Sequence, residues 1–523
     1  MPFYESNVLT FLLLLSIPAF IGLYFFMVRK ERTAGLIMLL YSAFALRILM
    51  ISLDPFLHEW DERFHALVAK HMINHPFKPM LFIQHILPYN MEDWGYNHIW
   101  VHKQPLFLWQ MALSMKIFGV NTFALRLPSA IMGTVMVYLI YDIARMWIKN
   151  RDAAFVAALI ATFSFYPLEM ISGWVSLDHN DLAFTFYMTC GFWAMLKYMQ
   201  SPTNKIKWAL LIGLFAGLAV LNKWLTAFLI FGGWGLYVIL SPLRGQLKSY
   251  LHIGFGMVAC FLVFGPWQLY ILNTFPQETA ISYATNRKHM TEDLGHPGDA
   301  LTHLKFLTTS YGYLVMAMFV CGLLYLLWKK KSSRTFTLSA LGMIIVIFSF
   351  FSFLVATKMP ALVYPVSALI IVIAGTGLYA LVHYTFGLIP NYSTRVKWRP
   401  IALIAMSLIV AYSTFKPKTI AAERRYDNVY RNNKINNNTV FKQLNKDILE
   451  DRVVLNCRPY ENIELMFYQD ALAYHWYPEA FKIDSLKNIG YRFAAFDYPG
   501  DPQQLPEWIK ADTSIMILPF AMK

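Results

Sequence analysis

The chain has 523 residues, 57% hydrophobic, 16% aromatic and only 15% charged, with a mean hydropathy of +0.42. Apolar runs recur at the roughly 20 residues that cross a bilayer, and a soluble protein of this length would carry more surface charge, so the composition excludes a soluble globular enzyme. The net charge of +14 does not point to nucleic acid: the tail from Lys416 to Lys523 is nearly balanced, with 15 basic and 14 acidic residues. Much of the excess lies in short loops between apolar runs, where it sets topology.

In chain order, about twelve spanning helices are predicted, near 8–28, 34–53, 127–148, 152–171, 181–199, 207–222, 224–240, 250–272, 306–328, 335–357, 361–387 and 400–415. The first is not a cleavable signal, because its flank "MPFYESN" lacks positive charge and its apolar run is too long. The loops "RKER" (29–32), "RMWIKNRD" (145–152), "NKIK" (204–207), "LRGQLK" (243–248), "KKKSSR" (329–334) and "RVKWR" (395–399) are short and basic, and they alternate with the others without a break. The positive-inside rule places all six in the cytoplasm. Residues 54–126, 172–180, 273–305, the turn at Lys358 and the tail from about 416 then face outward. Cys190, Cys260 and Cys321 lie in apolar runs and only Cys457 does not, so neither a disulfide framework nor a zinc cluster is indicated. No GxxxxGK loop is present, which argues against an ATP-driven pump.

The outward segments carry the ionisable groups. "LDPFLHEWDERFHALVAKHM" (53–72) opens with Asp54-Pro55, a helix-start pair, and continues with Phe64, Leu67, Val68 and Met72 at helical spacing. An amphipathic helix on the membrane surface is predicted, with Asp61 and His65 on one face. A solvated face is the plain explanation; an acid that takes a proton from a substrate hydroxyl is the functional one. In "NHIWVHKQPLFLWQ" (97–110), Pro105 suits a first helical turn and Lys103 adds a charge to a helix N-terminus, an anion site in outline. The alternative is a snorkelling lysine. Asp178-His179-Asn180-Asp181 precedes a span, where a cap would need fewer acids. Lys358, in "TKMPALVYP" (357–365), stands at an outer mouth and either snorkels or meets a lipid phosphate. The histidines of 273–305 are not at chelating spacing.

Taken together, "WDERFHALVAKHM", "HKQPLFLWQMALSMKIFGVNTFALRLPSAIMG", "SLDHNDLAF" and "KMPALVYPVSAL" resemble, in order, the GT-C fold glycosyltransferases, with the nearest likeness to the lipid A aminoarabinose transferase and protein O-mannosyltransferase superfamily over residues 55–380. The resemblance implies a polyprenyl-phosphate sugar donor used outside the cytoplasm, with the catalytic acid in the "DE" pair: Asp61 as general base and Glu62 as its companion. It implies that Lys103 contacts the donor phosphate, with Arg63 and Lys358 as further cations. Arg63 stands one position earlier than the arginine of the aminoarabinose transferases. His102 occupies the place of a metal-ligand glutamate in some members, which admits a divalent metal ion. The second acid is Asp178 or Asp181, with Asp178 favoured because it lies further outside the span.

The expected fold is therefore an all-α polytopic membrane protein of GT-C type, with a catalytic unit over 1–415 whose outward loop 54–126 carries interfacial helices. A small α/β extracytoplasmic domain is expected over 416–523, from the strand-like "RVVLN" (452–456) and "YRFAAFD" (491–497) beyond the Asn-rich "RNNKINNNT" (431–439), to gate the cavity or bind acceptor. The expected reaction is inverting transfer of a sugar to a hydroxyl or phosphate of lipid A, a protein or a glycan at the periplasmic face of a bacterial inner membrane. A transporter would hide its charges at the midplane, where Arg47, Asp142 and Lys223 are few. A lipid-linked glycan polymerase or ligase would run the same chemistry on a larger donor.

Overall fold

Helix α1 (Glu5–Tyr24) and helix α2 (Arg32–Ser52) pack antiparallel across the π-helical turn Phe25–Arg29, and Lys30 closes the turn at a left-handed φ of 64°. Gly22 and Gly35 let the two backbones touch, because a Cβ on Gly35 would sit 2.6 Å from the Gly22 carbonyl oxygen. The computed structural model describes residues 3–519 and 522, other than 60, 176–178, 224, 329 and 330, with the side chains of 331, 332 and 395 also outside the description.

The long loop after α2 holds α3 (Asp61–Met72) and α4 (Leu106–Phe118). Then follow α5 (Thr122–Ile148), capped by the Asn121 side chain, and α6 (Arg151–Phe163), capped by Asn150 and continued by α7 (Phe165–Ser172). The bundle proceeds through α8 (His179–Gln200), α9 (Lys205–Val220), α10 (Leu229–Leu240), α11 (Leu247–Thr274), α12 (Pro276–Thr291), α13 (Thr302–Tyr311), α14 (Tyr313–Trp328), α15 (Lys331–Ser349), α16 (Ser367–Gly387) and α17 (Tyr392–Phe415).

All twelve predicted segments are helical, but among the described residues eight helices are long and apolar enough to cross a membrane. A ninth results if α13 and α14, bent by 105°, count as one span. Helices α8 and α9 and the stretch Leu225–Leu240 do not meet that test of length and composition. Spans Arg151–Ser172 and Tyr364–Gly387 form the centre, 94% and 89% buried over their apolar windows. Helices α14 and α16 cross in backbone contact: a Cβ on Gly377 would overlap the Met318 carbonyl oxygen, and one on Gly322 that of Ile373.

The loops gather at two ends, as their charge predicts. Arg32 of the first basic loop pairs with Asp152 of the second, and Ser333 of a third donates to the carbonyl of Trp147 at 3.4 Å. At the opposite end His179 meets Glu62, Thr357 meets His289, and Arg424 of the tail meets Asp54.

The tail comprises α18 (Pro417–Ala422), α19 (Val429–Gln443), α20 (Lys446–Leu449), β1 (Val453–Leu455), α21 (Glu461–Tyr468), α22 (Ala480–Asn488), β2 (Phe493–Ala495), α23 (Glu507–Lys510) and β3 (Ile515–Ile517). The strands form a parallel sheet in the order β1-β2-β3, so both predicted strands are present and a third adds to them. One apolar cluster joins Phe64 and Leu67 of α3 and Met111 of α4 to Phe441, Val454, Phe493 and Ile515 of the tail.

Two local expectations are corrected. The helix predicted to begin at Asp54-Pro55 begins at Asp61, because the Asp54 carboxylate binds Arg424 and Arg431 at 3.1 and 2.8 Å instead of capping a helix. Helix α3 does not present a solvated face: ten of its twelve residues are buried, since the tail covers the face that was expected to meet solvent.

Candidate active site

Asp61 is the first residue of α3, where a carboxylate favours the positive end of the helix dipole. Lys103, two residues before Pro105 at the N-cap of α4, donates from Nζ to Asp61 Oδ2 at 2.9 Å. Both side chains are part-exposed, 29% and 21%, and both face a cavity of about 1350 Å³. Burial alone would raise the Asp61 carboxyl; the Lys103 ammonium overrides it and holds Asp61 well below the usual carboxylate range. His102 and His65 are pushed down by burial to about 3, and His289 to about 4, so these imidazoles are neutral at physiological pH.

The cavity lining is both polar and apolar. Its polar part includes Asp61, His102, Lys103, Asp181, Lys223 and His289, with Arg287 and Lys288 of α12. Its apolar part includes Leu225, Phe228 and Leu236, with Met343, Val346 and Phe350 of the α15 region. Lys223 and Asp181 form a second ion pair there. Segment 355–358 straps α12 and the loop after it over the cavity: the Thr357 backbone N–H donates to the carbonyl of His289 at 3.2 Å, and that of Lys358 to the carbonyl of His296 at 2.9 Å. The N-terminus of α4 is not an open cradle, since the Leu106 N–H is taken by the carbonyl of Leu221 at 3.0 Å.

The other predicted residues sit elsewhere. Glu62 points away from the cavity and is 5% exposed. It accepts from Arg126 Nε and Nη2 at 2.7 and 2.9 Å and from the backbone N–H of His58 at 2.6 Å, and His179 Nε2 lies 2.8 Å from its carboxylate. Ser129 Oγ lies 3.2 Å from the other ring nitrogen of His179. Burial opposes ionisation of Glu62, but Arg126 and His179 hold it well below its ordinary value. Arg63 is buried towards the tail, 3.6 Å from Glu464. Lys358 is buried, and its ammonium donates to the carbonyls of Phe351 and Ser352, each at 2.9 Å, and of Val355, closing the C-terminal end of the α15 region. Asp178 lies outside the described residues; of the two candidates for second acid, Asp181 lines the cavity.

His102 stacks on Trp94 with ring centroids 4.9 Å apart. Among the described residues no group of three His, Cys, Asp or Glu side chains could hold a metal ion, and the Asp61 carboxylate is paired with the Lys103 ammonium. Among the described residues that donor set does not fit a divalent metal.

Sequence reading missed three contributors. Arg126 lies inside the quoted "RLPSA" stretch, where a lone arginine ahead of a proline in an apolar run was a signal for a buried partner. Lys223 was visible as an interior charge. The role of His289 as a neutral wall depends on the strap and had no signal of its own.

This arrangement is the GT-C fold of integral-membrane glycosyltransferases, a multi-pass bundle with its polar site beside the long loop that follows α2. Residues 102–270 match the dolichyl-phosphate-mannose-protein mannosyltransferase family. The chain is 36% identical over 122 residues to undecaprenyl phosphate-alpha-4-amino-4-deoxy-L-arabinose arabinosyl transferase 2 of Proteus mirabilis, covering 23% of this chain and 22% of that protein. Its structure matches that of ArnT from Cupriavidus metallidurans bound to undecaprenyl phosphate with a TM-score of 0.59, 17% identity, and coverage of 87% of this chain and 88% of that one. The Archaeoglobus fulgidus oligosaccharyltransferase in its apo form follows at a TM-score of 0.54, 13% identity, and coverage of 92% and 64%. The aligned stretches span about a third or less of the length of the curated relatives.

Proposed function

We propose that the protein transfers a glycosyl group from a polyprenyl phosphate to a hydroxyl or phosphate oxygen of lipid A, a protein or a glycan, on the periplasmic face of a bacterial inner membrane, with inversion. One observation carries the reading: an acid–ammonium pair, Asp61 and Lys103, in a cavity that is otherwise walled in large part by apolar side chains. A prenyl phosphate has the same two-part chemistry, and the likeness to ArnT supports that donor class.

The acceptor O–H attacks the anomeric carbon from the face opposite the phosphate. The C–O bond to phosphate breaks, its electrons leave with the prenyl phosphate, and the acceptor proton passes to Asp61. The leaving phosphate gains negative charge and needs cations rather than an acid. Lys103 supplies one. In the resting pair it neutralises Asp61; when it turns to the phosphate, burial acts on Asp61 with less opposition, its affinity for a proton rises, and it becomes a better base. Donor binding thus switches on the base. Lys223 supplies charge to the same cavity.

The test is transfer from radiolabelled undecaprenyl-phosphate sugars by the protein reconstituted in liposomes with envelope extract as acceptor. Wild-type turnover is expected, with loss of about 10²–10⁴-fold in Asp61→Asn and with the product anomer inverted by NMR. Full transfer by Asp61→Asn would refute the role of the carboxylate.

A further inference from the structure

A second cavity, of about 230 Å³, lies on the far side of the loop that walls the first. Residues divide across this loop: Glu92 and Trp94 line the large cavity, whereas Asn90, Asp93 and Tyr96 line the small one. The opposite wall is segment 474–476 of the tail.

Both walls are built without a ligand. Segment 472–476 runs along the edge of β1: the Val454 N–H donates to the carbonyl of Leu472, and the Tyr474 N–H to that of Val454, each at 2.8 Å. The Cys457 N–H adds a bond to the carbonyl of Tyr474 at 3.0 Å. In the loop, Asn90 Oδ1 accepts from the Glu92 N–H at 2.9 Å and Asp93 Oδ1 from the Gly95 N–H at 3.0 Å, two side-chain turns that hold its shape.

The lining joins flat aromatic faces to leftover polar atoms. Tyr96 stacks on His475 at 4.4 Å, and Phe82 on Tyr474 at 5.5 Å, with the Trp476 ring beside them. Among the described residues, Asp93 and Asn90 use only their Oδ1 atoms as acceptors. That leaves an acceptor at Asp93 and a donor at Asn90. A hydroxyl both donates and accepts, so mixed donors and acceptors suit a polyol. The lining holds no lysine or arginine, and Asp93 repels an anion, so the cavity is no phosphate site. It is smaller than the roughly 300–1,000 Å³ of sites for drug-sized ligands, which leaves room for one sugar ring and not for a peptide or a prenyl chain. A pyranose, apolar on its C–H face and polar around its rim, is the ligand with that surface.

We infer that this cavity binds a non-reacting saccharide ring of the acceptor, so that the acceptor is a glycan or glycolipid rather than a bare polypeptide. The inference rests on the transferase reading for the word acceptor, but the ring site stands on its own lining. The loop separates the cavity from Asp61, so a ring held there is remote from the bond that breaks, and its binding energy goes to positioning.

The test uses full-length protein in nanodiscs and saturation-transfer NMR with methyl glycosides of glucose, galactose, mannose, glucosamine and N-acetylglucosamine. At least one is expected to bind, to keep binding in Asp61→Asn, and to bind about tenfold more weakly in Trp476→Ala, as loss of an aromatic anchor implies. Asp93→Asn, which preserves the Oδ1 turn, is expected to weaken it as well and serves if Trp476→Ala does not fold. With envelope lipids as acceptor, the same variants are expected to raise the acceptor KM and leave the donor KM unchanged. No saturation transfer from any glycoside at ~20 mM, where millimolar ligands saturate, would overturn the site. So would binding lost in Asp61→Asn and unchanged in both second-cavity variants. Intact binding in a protein that transfers no sugar would overturn the acceptor role alone and would mark a failure of the transferase reading instead.

Discussion

At the scale of single residues, the two members of the "DE" pair do different work. Asp61 faces the cavity and Glu62 faces the protein, as adjacent residues on a helix must when one side is solvent and the other is core. Glu62 is a positioning residue: four donors from α5, α8 and the preceding loop converge on it and fix the first turn of α3. Arg126→Ala would leave that carboxylate buried without its ion partner, at a cost of about 3–5 kcal/mol, visible as a lowered thermal midpoint of the purified protein. Gly173→Ala is expected to act on the same clamp, because a Cβ there would sit 2.9 Å from Glu62 Oε2 at a φ of +83°. The pH profile distinguishes Asp61 from its neighbour Lys103. A carboxyl depressed in the folded protein is ionised above its ordinary range and protonates only as pH falls below it. Between pH 5 and 8 no acid limb from Asp61 is expected in kcat/KM. In Lys103→Met, burial acts unopposed by that ammonium, and the acid limb of residual turnover is expected to move upward.

At the scale of elements, the bundle depends on close crossings in its centre. The α14–α16 contact is made backbone to backbone at Gly322 and Gly377. Without a hydrophobic force between helices in lipid, such small-residue contacts supply the packing. Gly377→Val cannot be absorbed by rotating a flexible side chain, because the atom it meets is a carbonyl oxygen. The helices must separate, and a loss of about 1–3 kcal/mol is expected, measured as a shift in the melting curve in detergent. Lys358 belongs at this scale too. Its ammonium closes the end of the α15 region and therefore holds the strap that covers the cavity. Lys358→Met is expected to loosen the strap, read as faster hydrogen exchange in 286–298 than in wild type.

At the scale of the whole molecule, the tail is tied into the bundle by charges that never meet water. Arg424 binds Asp54 and Glu169, and Arg431 binds Asp54, with no exposed side chain among these four. A chain ending at residue 422 would leave both acids without their arginine partners. It is expected to elute as an aggregate where the full chain elutes as a single peak in fluorescence-detected size exclusion. The same interface carries a pH dependence. Burial, then the neighbouring Glu461, push Glu464 up from 4.5 to about 7 against Lys434 and Arg63. A carboxyl raised in the folded state binds more protons than in the unfolded state, so stability falls as pH rises from about 4.5 to about 7. In Glu464→Gln the melting temperature is expected to vary less across that window than in wild type.

Much of this was legible in one dimension. Apolar runs, basic loops and two tail strands are local patterns, and they placed the helices, sorted the loops to two ends and put Asp61 and Lys103 on one side. What local pattern could not supply was which charge meets which. Glu62 finds Arg126 across 64 residues and Asp54 finds Arg424 across 370, and nothing in sequence spacing encodes such pairs. For the same reason, Asp54 reads as a helix cap and Lys358 as a phosphate contact until the fold shows the buried partners that occupy them. Charge content and hydropathy are properties of the chain, whereas a buried ion pair or a cavity shared by two distant segments comes into being only when the packed helices bring those groups within about 3 Å.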